Sequence, residues 1–371
     1  MRSRVVALLT VLAAVLLGLA APAHAADPAV NLTPPEVTGK AAVGVKLVAD
    51  PGTWLPADAT FTYQWLRDGK ALPGRTKRAY RPKPDDVGHR VAVVVTATHP
   101  SYADESATSS AVKVAKGTIK VRKGPRVEGA KKYLARAKAT RPRLNVKPQK
   151  RVYRWLRDGR RIPGATGRSH RFGWQDVGHE VRVEVTLTRP GYRTRRVKSP
   201  ASRIAHRVPA RHVVKYHVET RGRMTASVRK FRRLANASLN DPRGWRGASG
   251  IRFDEVRSGG SMTLVLAESS WLPRFSSGCS AQWSCRVGRF VVINQLRWKN
   301  ASPAWNSRGG TLRGYRHMVI NHETGHWLGW GHRSCPRAGA PAPVMQQQSI
   351  SLQGCRFNPF PTAGERNVPR F

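Results

Sequence analysis

The segment His322-Glu323-Thr324-Gly325-His326-Trp327-Leu328-Gly329-Trp330-Gly331-His332 concentrates side chains whose types and spacing can do chemistry. Two histidines four apart on a helix project from one face, one turn above the other. Imidazoles so placed can hold one tetrahedral zinc ion, and a third ligand completes a site that keeps one position open for water. His322, His326 and His332 are therefore the expected ligands, and Zn2+ the expected cofactor. Glu323 points into the same space, where a carboxylate can take a proton from water, and is the expected general base. Gly329 lets the helix stop in a left-handed turn, because no Cβ resists positive φ, and that turn can bring His332 back toward the other two.

A bare H-E-x-x-H also arises on ordinary amphipathic helices, whereas H-E-x-x-H-x-x-G-x-x-H is far more specific. In this longer form the segment resembles the metzincin zinc peptidases. Pro341-Ala342-Pro343-Val344-Met345 adds a methionine 13 residues after His332. The resemblance implies that Met345 forms a turn beneath the ligands and that the protein is a zinc endopeptidase acting on a protein or peptide substrate. Gln347 stands where some metzincins place a tyrosine, and Gln346 to Gln348 are candidate amide donors to an oxyanion. No cysteine precedes Cys279, which excludes the cysteine-based latency of the matrix-type members. In one related bacterial group an aspartate is the third ligand, and His332 favours the histidine version.

Elements must hold these residues in place. The patterns predict a strand at 212–218, then a helix at 225–239 with Val228, Phe231 and Leu234 inward. A turn follows at 241–245, and strands at 250–256, 261–268 and 289–294. Past Gly309-Gly310, a helix carries Leu312, Tyr315, Val319, His322 and His326 on roughly one face. The order β-α-β-β-β-α agrees with the upper half of a metzincin domain. Residues 212–371 also resemble a family of secreted actinobacterial proteins known as a domain of unknown function. That likeness rests on D-P-R-G-W at 241–245, Cys279 and Cys285, V-V-I-N at 291–294, Arg297-Trp298, N-H-E-T-G-H at 321–326, Cys335-Pro336, P-A-P-V-M-Q-Q-Q at 341–348 and Gly354-Cys355.

Upstream, residues 27–205 repeat at an offset of 90. Tyr63-Gln64-Trp65-Leu66-Arg67-Asp68-Gly69 returns as Tyr153-Arg154-Trp155-Leu156-Arg157-Asp158-Gly159, and Asp86-Val87-Gly88-His89 as Asp176-Val177-Gly178-His179. Runs of β-branched residues and the Asp-Gly turns read as hairpins, with each tryptophan plugging a two-sheet core. In these segments the repeats resemble the cysteine-free immunoglobulin-like modules of secreted bacterial proteins. His89 and His179 recur with the framework, so a turn-stabilising role is expected for both. The expected fold is multidomain: two all-β immunoglobulin-like sandwiches at 27–116 and 117–205, then an α+β metzincin-like (zincin) domain at 206–371. Residues 199–211 read as a linker. His206 belongs to that linker, and His212, His217 and His317 are expected to be structural or exposed.

The chain of 371 residues carries 66 Lys and Arg against 21 Asp and Glu, a net charge of +45. Residues 27–116 hold +3 of this and residues 117–206 hold +21. Such a surface associates with polyanions by counterion release. Polyanionic cell-wall or surface material is the expected partner of the second module. No dedicated nucleic-acid motif accompanies the charge, so no specific nucleic-acid partner is expected. The alternative function is thus a surface polyanion-binding protein with a structural or inactive zinc domain.

Residues 1–25 read as a secretory signal. Arg2 and Arg4 precede an apolar run over 5–20, and Ala23-His24-Ala25 fits the cleavage rule, with cutting after Ala25 or Ala26. A secreted protein without stable membrane insertion is expected. Four cysteines in an exported chain imply two disulfides in one of three pairings, of which Cys279–Cys285 with Cys335–Cys355 is the most local. Sequence leaves the oligomeric state open.

Overall fold

Alternation of apolar and polar residues along 90–96 and 180–186 sends every second side chain into a shared interior. In the first repeat, Thr60–Arg67 pairs antiparallel with Arg90–His99, setting Trp65 opposite Val93. A second sheet of Glu36–Thr38, Leu47–Asp50 and Ala79–Tyr80 supplies the other side of the core. The second repeat follows the same plan. Lys150–Arg157 and Glu180–Thr188 lie side by side in one sheet, and Val127–Glu128, Arg136–Ala139 and Ser169–Arg171 form another. Trp65 and Trp155 are fully buried, their indole N–H groups donating to Lys77 O (2.9 Å) and Gly167 O (3.0 Å). These are two immunoglobulin-like sandwiches in layout. The structure is a computed structural model and describes residues 27–371; the expected signal segment and its cleavage point lie outside them.

Both Asp-Gly turns have positive φ at each central residue (46° and 79° at Asp68-Gly69, 46° and 80° at Asp158-Gly159), the geometry that matches strand twist in two-residue hairpins. His89 Nδ1 meets the Asp68 carboxylate, and His179 Nδ1 lies 2.5 Å from Asp158 Oδ2. The two histidines therefore do tie down the turns. The expected linker begins later than its composition indicates. Ser199 is buried, its Oγ accepts from Val183 N (3.1 Å), and Ser202–Arg203 pairs with the Glu180–Thr188 strand. Ser109 does the same for Val93 in the first repeat, so the offset of 90 carries this signal as well.

By density of contacts the chain divides into two compact units. One runs to Lys120 and takes in Val146–Gln149 and Thr188–Arg195; the other is Val121–Asn145, Lys150–Leu187 and Arg196–Phe371. Most of the second sandwich thus shares a unit with the C-terminal domain. Arg243 helps join them, its guanidinium lying 3.7 Å from the Trp174 ring and 4.1 Å from the Phe360 ring while it pairs with Asp241.

The C-terminal domain is built on one five-stranded sheet. Its strands are β1 (His212–Arg221), β2 (Ile251–Glu255), β3 (Met262–Ala267), β4 (Cys285–Val287) and β5 (Phe290–Asn294), in the spatial order β2-β1-β3-β5-β4. Four run parallel, and β4 alone pairs antiparallel, to β5. All six residues of β3 are buried, as a parallel strand covered on both faces requires. Helices α1 (Val228–Leu239) and α2 (Leu312–Trp327) share a core with Leu264, Leu266, Val291 and Ile293. Val265, Ala267 and Val292 point the other way, against Leu272 and Cys279. The sequence pattern anticipates β1, β2, β3, β5 and both helices. It misses β4, which is too short for alternation to register. Disulfides join Cys279 to Cys285 and Cys335 to Cys355, the most local of the three pairings. Such bonds belong to an oxidising compartment, and among the described residues no helix is long and apolar enough to cross a membrane.

Candidate metal centre

The bounds of α2 come from local chemistry. Thr311 caps its start, with Oγ1 accepting from Gly314 N at 3.1 Å. Its end is a Schellman turn: Gly329 has φ +99°, Gly329 N donates to His326 O (3.1 Å), and Trp330 N donates to Gly325 O (3.0 Å). That reversal delivers His332 to the last turn of α2. Nε2 of His326 then lies 3.2 Å from Nε2 of His322 and 3.1 Å from Nε2 of His332. One ligand atom from each histidine falls within 4.8 Å of the others.

The protonation pattern follows from the partners. His322 Nδ1 is 2.8 Å from Val344 O, and His326 Nδ1 is 2.8 Å from Trp330 O. A carbonyl can only accept, so each Nδ1 carries the proton and each Nε2 presents a lone pair. Two lone pairs then face each other across 3.2 Å, an arrangement that a cation between them relieves. Tetrahedral zinc with bonds of about 2.0–2.1 Å sets its ligand nitrogens roughly 3.3 Å apart, and the spacing here fits. Burial, with repulsion from His326, holds His322 down to about 3, while the Val344 bond acts in the opposite direction. His326 and His332 are also lowered, chiefly by burial. All three are poised as neutral donors.

Support from behind the three histidines is dense. The carbonyl that orients His322 belongs to the residue before Met345, which is fully buried. Val344 N and Met345 N both donate to the carboxylate of Glu365, at 3.1 and 2.9 Å, and Thr362 N and Oγ1 donate to it at 2.7 Å each. Glu365 is itself fully buried. Gly325, inside the motif, sits against Met345: a Cβ there would overlap Met345 Sδ and come within 3.0 Å of Trp245. Trp245 in turn donates through Nε1 to Asn321 O (3.0 Å), so the segment read as a turn at 241–245 packs under α2. Sequence gave no sign of Glu365, which lies 20 residues past Met345 and whose role depends on the fold of the tail.

Glu323 lies in the same cavity of about 360 Å³ as the three histidines, and burial pushes its carboxyl up to about 8, with Arg286 opposing. Arg286, Trp283, Tyr315 and Gln347 also line the cavity. Of the three candidate oxyanion donors, Gln348 is committed: its Nε2 donates to Pro343 O (3.1 Å) and Asn358 O (2.8 Å). Gln346 is buried, with Nε2 donating to Ser351 O at 3.1 Å. Gln347 is exposed and lines the cavity, so it alone of the three offers its amide there.

The remaining histidines are placed elsewhere. His317 lies 2.9 Å from Ser238 Oγ between α1 and α2, and His212 stacks on Phe371 at 4.5 Å. His217 meets Glu219 at 2.8 Å. His206 is held to about 4, mainly by burial and then by Arg246.

Among solved structures, the chain is similar to the N-terminal Ig1-2 module of the Drosophila receptor protein tyrosine phosphatase DLAR (15% identity, 49% of this chain and 100% of that one, TM-score 0.17). It is also similar to a two fibronectin type-III domain segment of chicken tenascin (10% identity, 46% and 99%, TM-score 0.25). A third is a Ca2+-stabilised adhesin of an Antarctic bacterium (11% identity, 51% and 52%, TM-score 0.22). No curated protein matches the sequence. Residues 185–363 match the model of a family described as "Protein of unknown function (DUF3152)". The C-terminal half thus carries a DUF3152 domain, and the histidine cluster, Glu323 and Met345 lie inside it.

Proposed function

We propose that the C-terminal domain is a secreted zinc-dependent endopeptidase of metzincin type, with His322, His326 and His332 as ligands and Glu323 as general base. The observation that carries this reading is the convergence of three Nε2 atoms, two pairs of them 3.1–3.2 Å apart, beside a buried carboxyl in one open cavity. A zinc ion held there supplies Lewis acidity toward a carbonyl and lowers the pKa of its water toward about 7. The chain's own residues do the rest. Val344 O and Trp330 O fix the ring orientation of two ligands, as second-shell partners do. Glu323 takes the proton of the attacking water and hands it to the leaving amine.

A peptide substrate is favoured by β4. It is the outermost strand of the sheet, its Cys285 and Arg286 line the cavity, and an edge strand can pair with an extended chain. The strand order and the Met345 turn add to the metzincin resemblance. The experiment is digestion of a peptide library with and without chelator. Glu323→Gln should lower cleavage by about 10²–10⁴-fold while zinc stays bound. Cleavage indifferent to chelator or to Glu323→Gln would overturn the reading.

A further inference from the structure

The cavity around the histidine cluster is nearly bare of charge. Among its lining residues only Glu323 and Arg286 are formally charged, and Glu323 is buried. Arg286 is placed there by strand geometry. It is the middle residue of β4, flanked by Cys285 and Val287, which pack with Val265, Leu272 and Val292 on the far face of the sheet. Side chains alternate along a strand, so Arg286 leaves by the opposite face, the one against which α2 lies. The Cys279–Cys285 disulfide anchors its neighbour, and Arg286 stands opposite Val291 in the pairing of β4 with β5. The side chain is exposed and makes no ion pair with any carboxylate of the described residues. Elsewhere in the chain, arginines that point at acids are paired with them, as Arg157 is with Asp176 and Arg243 with Asp241.

An arginine carried on a paired strand, lining a cavity and with no carboxylate within ion-pair distance, can receive the carboxylate of a ligand. The geometry points to Arg286 as a specificity-determining residue that binds a carboxylate of the ligand beside the histidine cluster. This rests on the proposed peptidase reading and gives it a substrate class: peptides with an acidic side chain or a free chain end within reach of Arg286. The net charge of +45 acts in the same direction by drawing acidic chains toward the surface.

The test uses the full chain as the Glu323→Gln variant, loaded with zinc so that ligands bind without turnover. Paired peptides differing only as Asp against Asn, or as free acid against C-terminal amide, are titrated by calorimetry. The acidic member of one pair should bind about 10-fold more tightly, and the pair that shows the gain identifies which carboxylate is recognised. Adding Arg286→Gln should remove the preference, and Arg286→Lys should restore part of it, with zinc content and Tm unchanged in both. Equal binding of acid and amide, no binding by any peptide, or a preference that survives Arg286→Gln would overturn the assignment. Failure of wild-type protein to cleave any peptide, with the Arg286-dependent preference intact, would remove the peptidase reading and leave the carboxylate receptor standing.

Discussion

The sandwiches and the end of α2 use histidine in opposite ways. In the sandwiches His89 meets Asp68, His179 meets Asp158, and His170 lies 3.1 Å from the buried Asp176. Each has a carboxylate. The three histidines at the end of α2 have none within ion-pair distance and face one another instead. A histidine with an acid is complete in itself and stabilises a turn. Three neutral imidazoles with converging lone pairs suit a cation, which is the partner proposed for them.

The sharpest way to break that contrast is to remove a ligand. His326→Ala should weaken zinc binding by at least about 100-fold in a competition assay, whereas His179→Ala should leave it unchanged. Equal effects would show that the two kinds of histidine are not distinct. Next in size is the support beneath the cluster. Glu365→Gln leaves the backbone of the Met345 turn with a weaker acceptor, and a loss of roughly 2–3 kcal/mol is expected in denaturant unfolding, together with weaker zinc binding. Gly325→Ala forces a Cβ against Met345 and should cost about 1–3 kcal/mol.

Acid separates the halves in a metal-free sample. His322, His326 and His332 have folded pKa values below the ordinary 6.5, His322 near 3, so the unfolded chain binds more protons than the folded one in that window. Their share of stability is present above pH 6.5 and is lost as pH falls toward 3. In the sandwiches the lowered groups are acids. Backbone and histidine bonds hold Asp68 and Asp158 below 3.8, and at Asp176 the His170 and Gly173 bonds outweigh the upward push of burial. Their share is lost only below about pH 4. Near-ultraviolet dichroism should show the C-terminal domain loosening first, and simultaneous loss would contradict the contrast. Smallest of all, His89→Gln removes a solvent-exposed pair and should move Tm by no more than about 2 °C.

Much of this was legible in the residues. The motif spacing, the offset of 90 and the Asp-Gly turns are local signals, and local geometry honours them. Buried parallel strands such as β3 announce themselves by mostly apolar runs, broken in β3 only by Thr263. What stayed hidden depends on distant packing. Glu365 reads as an ordinary surface acid until the tail folds back beneath Val344 and Met345. Nothing in the sequence pattern marks Trp174 as the residue on which Arg243 stacks. The second repeat carries Trp174 where the first has Pro84, a difference in the framework whose purpose only the C-terminal domain reveals. Gly325 reads as a tolerated glycine within a helix, yet the space it leaves is filled by Met345 Sδ.

Metal analysis of the purified protein bears most directly on whether the three imidazoles take a cation as their partner. One zinc per chain, kept by Glu323→Gln and His179→Ala and lost by His326→Ala, is the expected result. A chain that takes up no zinc, or holds it equally well without His326, would contradict it.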